Sequence, residues 1–156
     1  MRKSWSKVFL SILPLLFVAA CGAPQPQQTL TLTPTEQATA VELVGEIAGK
    51  SFVGQWGTDF TVDVQINISP QFVFDPSGGG QTVEIVRDRG SGPYSYTAKV
   101  VSMRIQKGVL SLVAPGNDSM TFTISLWDTR GRITGSISAW NPNSGIWDAS
   151  LKEGKL

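Results

Sequence analysis

The side chains that could do chemistry in this chain are few, because histidine is absent and Cys21 is the only cysteine. Without imidazole there is no Ser-His-Asp relay, no histidine base and no histidine-bound metal. Carboxylates and amines are left. Asp59 and Asp63 stand four residues apart in one alternating stretch, so both fall on the same side of a strand. Such a pair performs acid/base work on a glycosidic bond when a cleft holds it at the right separation. Here it alternates with Val62, Val64 and Ile66, which reads as the polar face of a half-buried strand. Asp75, Asp88, Asp118 and Asp128 lie in turn-like stretches with Gly, Ser or Asn, where an aspartate bonds backbone. None has the spacing of a calcium loop. Gly78-Gly79-Gly80 lacks the lysine and helix of a phosphate loop, and Arg87-Asp88-Arg89 reads as a solvated loop of mixed sign. The expectation is a protein that is not an enzyme and carries no cofactor or metal.

Aromatic residues are the other functional signal. Trp140 and Trp147 flank the polar loop 141–145. Exposed indoles beside such a loop stack on sugar rings or bury in a partner surface; paired across a hairpin they stabilise it instead. Trp147 shares its phase with Ala149 and Leu151 and points inward, whereas Trp140 is out of phase with Ile137 and Ala139. Trp140, Asn141 and Asn143 form the candidate interaction surface.

The elements that position these side chains follow from periodicity. Thr33-Pro34-Thr35-Glu36 reads as a helix start, with Thr33 as cap, Pro34 in the first turn and Glu36 as the capping-box acid. Ala40, Leu43, Val44, Ile47 and Ala48 then recur at helical steps, and Gly49 stops the helix; a strand over 41–47 is the competing reading. From Ser51 the period changes to two. Val62 to Ile68, Val83 to Ile85, Tyr94 to Val100, Met120 to Leu126, Ile133 to Ala139 and Trp147 to Leu151 each keep one apolar phase. Val101, Met103 and Ile105 hold the phase opposite to Tyr94–Val100, which calls for a bulge or a corner. Lys107-Gly108, Pro115-Gly116-Asn117-Asp118, Asp128-Thr129-Arg130-Gly131 and the 141–145 loop are short turn-formers. Short turns make successive strands neighbours, so about eight or nine strands form an up-and-down meander that protects its edges by curling closed. The expected fold is all-β, a small antiparallel barrel with a short N-terminal helix, and a β-sandwich is the alternative.

The leader sets the compartment. Arg2, Lys3 and Lys7 precede an apolar run over 8–18 that is too short to span a bilayer, the layout of a secretory signal. Its end, Val18-Ala19-Ala20-Cys21, resembles the lipobox of bacterial lipoproteins. The resemblance implies a signal peptide over 1–20 and an acylated Cys21 as the first mature residue, several acyl chains giving a stable membrane anchor. It also implies a place outside the cytoplasm. Gly22, where an aspartate would mark inner-membrane retention, points to the outer membrane if the host has one. Residues 21–33, rich in Pro, Gln and Thr, read as the lipidated cysteine and a spacer; 34–156 is the barrel domain. The leader holds three of the thirteen basic residues and none of the twelve acidic ones, so the chain beyond it carries ten against twelve, a net charge of −2. That balance argues against nucleic acid as a partner. With the lone thiol lipidated, no disulfide is available, and about 115 residues after the spacer must be held by one apolar core.

Gly54-Gln55-Trp56, placed at the start of the first strand and directly after the helix, gives a second resemblance. A short helix, Gly-x-Trp and an eight-stranded meander are similar to lipocalins and related calycin barrels. The resemblance implies that Trp56 packs across the closed end of the barrel and that Gly54 lets the chain pass close by, both structural roles. It also sets a basic residue of the last strand against the Trp, for which Lys152 is the nearest candidate. It implies a small apolar ligand, a lipid or fatty acid, in a lining drawn from Val62, Val64, Ile66, Phe122, Ile124 and Ile137. The alternative function is a non-catalytic envelope or surface module whose loops contact protein or polysaccharide.

Overall fold

Thr33 begins the first element as its side chain dictates. In the computed structural model, which describes residues 32–57, 62–88, 90, 92–117, 119–143 and 145–156, helix α1 spans Pro34–Ile47 with a complete capping box. Glu36 N–H donates to Thr33 Oγ1 at 3.3 Å, and Thr33 N–H donates to Glu36 Oε2 at 3.0 Å. Two of the backbone donors that a helix start leaves open are thereby satisfied. Ala40, Leu43, Val44 and Ile47 form the buried stripe of the helix, the helical spacing expected of it. The leader, Cys21 and the spacer up to residue 31 lie outside the described residues, as does Asp59.

Among the described residues nine strands follow: β1 (Ser51–Trp56), β2 (Val62–Ile68), β3 (Thr82–Asp88), β4 (Pro93–Lys99), β5 (Ser102–Gln106), β6 (Val109–Pro115), β7 (Thr121–Asp128), β8 (Ile133–Asn141) and β9 (Gly145–Glu153). All are antiparallel neighbours in one sheet of order β4-β3-β2-β1-β9-β8-β7-β6-β5. One sheet, rather than two packed face to face, sets the sandwich aside. Burial alternates cleanly in β2, β6 and β8, and the inward side chains of every strand join those of the helix in a single cluster. A flat sheet cannot gather one face of nine strands into one core; this sheet is curled and barrel-like. Each Val, Ile or Leu so buried contributes about 1.5–3 kcal/mol, and a one-residue slip would turn the whole set outward, which fixes the register.

The phase slip after Val100 is the corner between the two edge strands. Val100 is buried and Val101 is exposed, after which Met103 and Ile105 are buried again. Val100 N–H donates to Gln81 O beside β3, while Val101 N–H donates to Val113 O of β6, both at 2.8 Å. The chain thus steps in one residue from one edge of the sheet to the other. In the middle of the sheet β1 meets β9 through two residue pairs, Phe52 with Glu153 and Val53 with Lys152.

Two placements differ from the sequence reading. Gly54 and Trp56 end β1 rather than start it, because Phe52 belongs to the same buried phase and extends the strand towards the helix. The segment between β2 and β3, which carries no periodic signal, nevertheless packs Phe72 into the core at 3 % exposure. It is held by turns at Ser69–Phe72 and Asp75–Gly78 and by Met103 N–H donating to Pro76 O at 3.2 Å. Among the described residues no helix is long and apolar enough to cross a membrane.

Candidate functional site

The strand ends away from the helix bring the chain's rings together. Trp56 closes β1, Tyr94 and Tyr96 open β4, Phe122 opens β7 and Trp147 opens β9. Trp56 stacks on Phe122 with centroids 6.3 Å apart and meets Trp147 edge-on at 6.2 Å. Phe122 touches Tyr96 at 5.8 Å, and Tyr96 touches Tyr94 at 6.0 Å. The series runs from the core to solvent: Trp56 and Phe122 are buried, Tyr96 and Trp147 are half-buried, and Tyr94 is 51 % exposed. Separations of 4.5–7 Å with tilted or offset planes are those that aromatic quadrupoles favour. We call this end the mouth of the sheet.

Arg87 enters the mouth from β3. The sequence places it in a solvated loop, but it continues the inward phase of Val83 and Ile85 and stands opposite Val64 on one side and Tyr94 on the other. Its guanidinium carbon lies 5.7 Å from the Tyr94 ring centre and 5.5 Å from that of Tyr96, within cation–π range. Its Nη1 lies 3.4 Å from the Met120 sulfur. Asn117 Nδ2 donates to the Tyr94 hydroxyl at 3.2 Å, tying the β6–β7 turn to the same rings. The period-two pattern, carried two residues past Ile85, is the signal that locates Arg87; the neighbouring charges of Asp88 and Arg89 obscure it.

Val64, Ile66, Phe122, Ile124 and Ile137 are fully buried and Val62 nearly so. The structure therefore brings all six expected lining residues together, in the packed centre of the sheet and beneath the mouth. Trp56 fills the mouth's floor at 1 % exposure. Its indole nitrogen is buried and has no hydrogen-bond partner among the described residues. The basic residue that the calycin resemblance sets against this ring does not lie there: Lys152 is exposed on the outer face, and Phe122 and Trp147 hold Trp56 instead. Gly54 is required where β1 crosses β9, since a Cβ there would run into the Ser150 carbonyl oxygen and come within 3.2 Å of Leu151 Cδ2.

The outer face is different in character. Trp140 and Trp147 do not pair across their hairpin; Trp140 faces Ile146 and Trp147 faces Ala139. Trp140 and Ile146 are 51 % and 64 % exposed, side by side on the outside. Asn141 is half-buried, Asn143 is exposed, and Asn143 N–H donates to Asn141 Oδ1 at 2.8 Å, which shapes the loop. A groove of about 460 Å³ opens beside β1 and β9, but Gln55 and Asp63 on its wall bond each other at 2.7 Å.

Of the aspartates expected in turns, Asp75, Asp88 and Asp128 serve them, and Asp118 lies outside the described residues. Asp88 Oδ1 accepts from Gly90 N–H at 2.7 Å and Asp128 Oδ1 from Gly131 N–H at 2.8 Å. Asp75 Oδ1 accepts from the Ser77 hydroxyl and amide, and these bonds, the hydroxyl's first, hold its carboxyl below its ordinary range. Among the described residues no three acidic or sulfur side chains cluster as a metal site would require. No protein-family model matches the chain, and neither a curated protein nor a solved structure matches it.

Proposed function

We propose that this chain is a non-catalytic binding domain that takes a small apolar or aromatic molecule at the mouth of its curled sheet. The observation that supports this reading is the ring series from buried Trp56 and Phe122 to exposed Tyr94. An apolar plane laid against Tyr94 and Tyr96 would extend that stack at modest ordering cost, because each ring has only two side-chain torsions. Val62 and Phe122 form the layer next to the opening, and Val64, Ile66, Ile124 and Ile137 support it from below. The leader adds the setting: with Cys21 lipidated, the domain works at a membrane surface outside the cytoplasm, as a lipocalin-like lipoprotein would.

Native mass spectrometry of the protein after exposure to a cell-lipid extract tests the reading. A discrete added mass, lost on Tyr96→Ala, is expected. The bare polypeptide mass alone would defeat it. A second reading, contact with an envelope protein or polysaccharide, is favoured by the exposed pair Trp140 and Ile146 beside Asn141 and Asn143.

A further inference from the structure

The geometry points to an anion subsite in the mouth, with Arg87 as the residue that takes the acidic group of the ligand. The inference rests on the mouth being the binding site and adds the ligand's chemical class, an aromatic or apolar molecule bearing a carboxylate or similar oxyanion.

Two donors carry the argument. Arg87 is half-buried on the inward face, and its neighbours there are the faces of Tyr94 and Tyr96 and the sulfur of Met120. The ion pair found among the described residues, Lys50 with Glu153, lies near the start of β1 and the end of β9, away from the mouth. Arg87 is thus a permanent cation with five N–H donors, placed against π-faces and a thioether that accept hydrogen bonds poorly. An inward cation with no carboxylate partner among the described residues is costly to bury unless something completes it. The second donor is the Trp56 indole N–H, buried without an acceptor among those residues, in the ring that stacks on Phe122, which Tyr96 in turn touches.

Both groups are donors that lack an oxygen acceptor among the described residues, and neither can accept. A ligand that brings acceptor oxygens satisfies them, and one that brings a cation or only donors does not. Carboxylate suits Arg87 best, because the planar guanidinium binds it through two parallel bonds. The two tyrosine rings already flank the guanidinium at 5.7 and 5.5 Å, which restricts it before a ligand arrives.

A matched pair of soluble probes tests this on the full chain: 2-naphthaleneacetate and its neutral amide, 2-naphthaleneacetamide, followed by isothermal titration calorimetry. Binding of the acetate about tenfold tighter than the amide is expected, a ratio that Arg87→Gln brings close to one and Arg87→Lys partly preserves. The comparison between probes in the unsubstituted protein stands even if a variant fails to fold. Equal affinity for acetate and amide would overturn the anion subsite while leaving the mouth as a binding site. Absence of binding by either probe would overturn the mouth reading and the subsite with it.

Discussion

Trp56 and Phe122 touch through the interior of the sheet, not along it. Their strands, β1 and β7, are separated in the ladder by β9 and β8, yet the ring centres stand 6.3 Å apart at an interplanar angle of 24°. Tyr96 of β4 reaches the same Phe122 from the other edge of the sheet, at 5.8 Å. Phe122 is therefore where the two halves of the curl meet, and the packing of Trp56 against it is both a structural keystone and the floor of the mouth.

Trp56→Ala should lower stability by about 3–5 kcal/mol, the usual loss for a large aromatic removed from a packed interior. Urea denaturation followed by circular dichroism checks this. An unchanged midpoint would mean that the ring is not holding the two halves together.

Gly54→Ala should also destabilise, by about 1–3 kcal/mol, because the new methyl meets a backbone carbonyl of β9 that cannot rotate away. Thermal unfolding reads the effect. Stability equal to that of the unsubstituted protein would show that β1 and β9 have room to part.

Lys107→Asn should stabilise by about 0.5–1 kcal/mol. Lys107 and Gly108 have φ of 51° and 76° in the two-residue β5–β6 turn, and Asn tolerates the left-handed region better than Lys. A fall in melting temperature would contradict the turn assignment.

Acid should weaken the N-terminal helix. Bonds from the Thr33 backbone and then its side chain hold the Glu36 carboxyl below its ordinary 4.5. A lowered folded value means that the contribution is complete above the unfolded value and disappears as pH falls through the folded one. The difference in melting temperature between the unsubstituted protein and Glu36→Gln should therefore be largest at neutral pH and shrink towards about pH 3. A gap constant over that range would show that the carboxylate's charge does not contribute.

Trp140→Ala should leave stability within about 0.5 kcal/mol, since the side chain is half exposed on the outer face. If it nevertheless abolished retention of the protein on isolated cell-envelope polysaccharide, the outer-face reading would gain over the mouth. Unchanged retention, or none to begin with, would favour the mouth.

Most of the fold was legible in the sequence because its signals are local. The capping box at Thr33 and Glu36, the alternation through β2, β7 and β8, and the turns at Lys107-Gly108 and Arg130-Gly131 each specify structure within a few residues. The phase slip after Val100 announced the corner. Which strands would meet in the middle of the sheet was not local information: the β1–β9 ladder and the burial of Phe72 depend on partners far along the chain. The mouth was half legible. Phe122 was identified from phase and Trp56 from the Gly-x-Trp motif, but Arg87 was hidden because a charged triplet at a strand end looks like a loop until Tyr94 and Tyr96 are placed beside it.

The two-pair ladder between β1 and β9 has a kinetic meaning. Every other ladder joins strands that follow one another in the chain, the longest connection being the 69–81 segment between β2 and β3, so the entropy of closure is smaller. Phe52 with Glu153 and Val53 with Lys152 must instead find each other across nearly the whole domain. Contacts of that sequence separation set the pace of folding, and this one is short, with the exposed Lys50–Glu153 pair at its end. The two meanders, β1–β4 and β5–β9, are thus joined in the ladder by one small seam, besides the ring contacts of Phe122. Substitutions along it should slow folding more than their effect on final stability suggests.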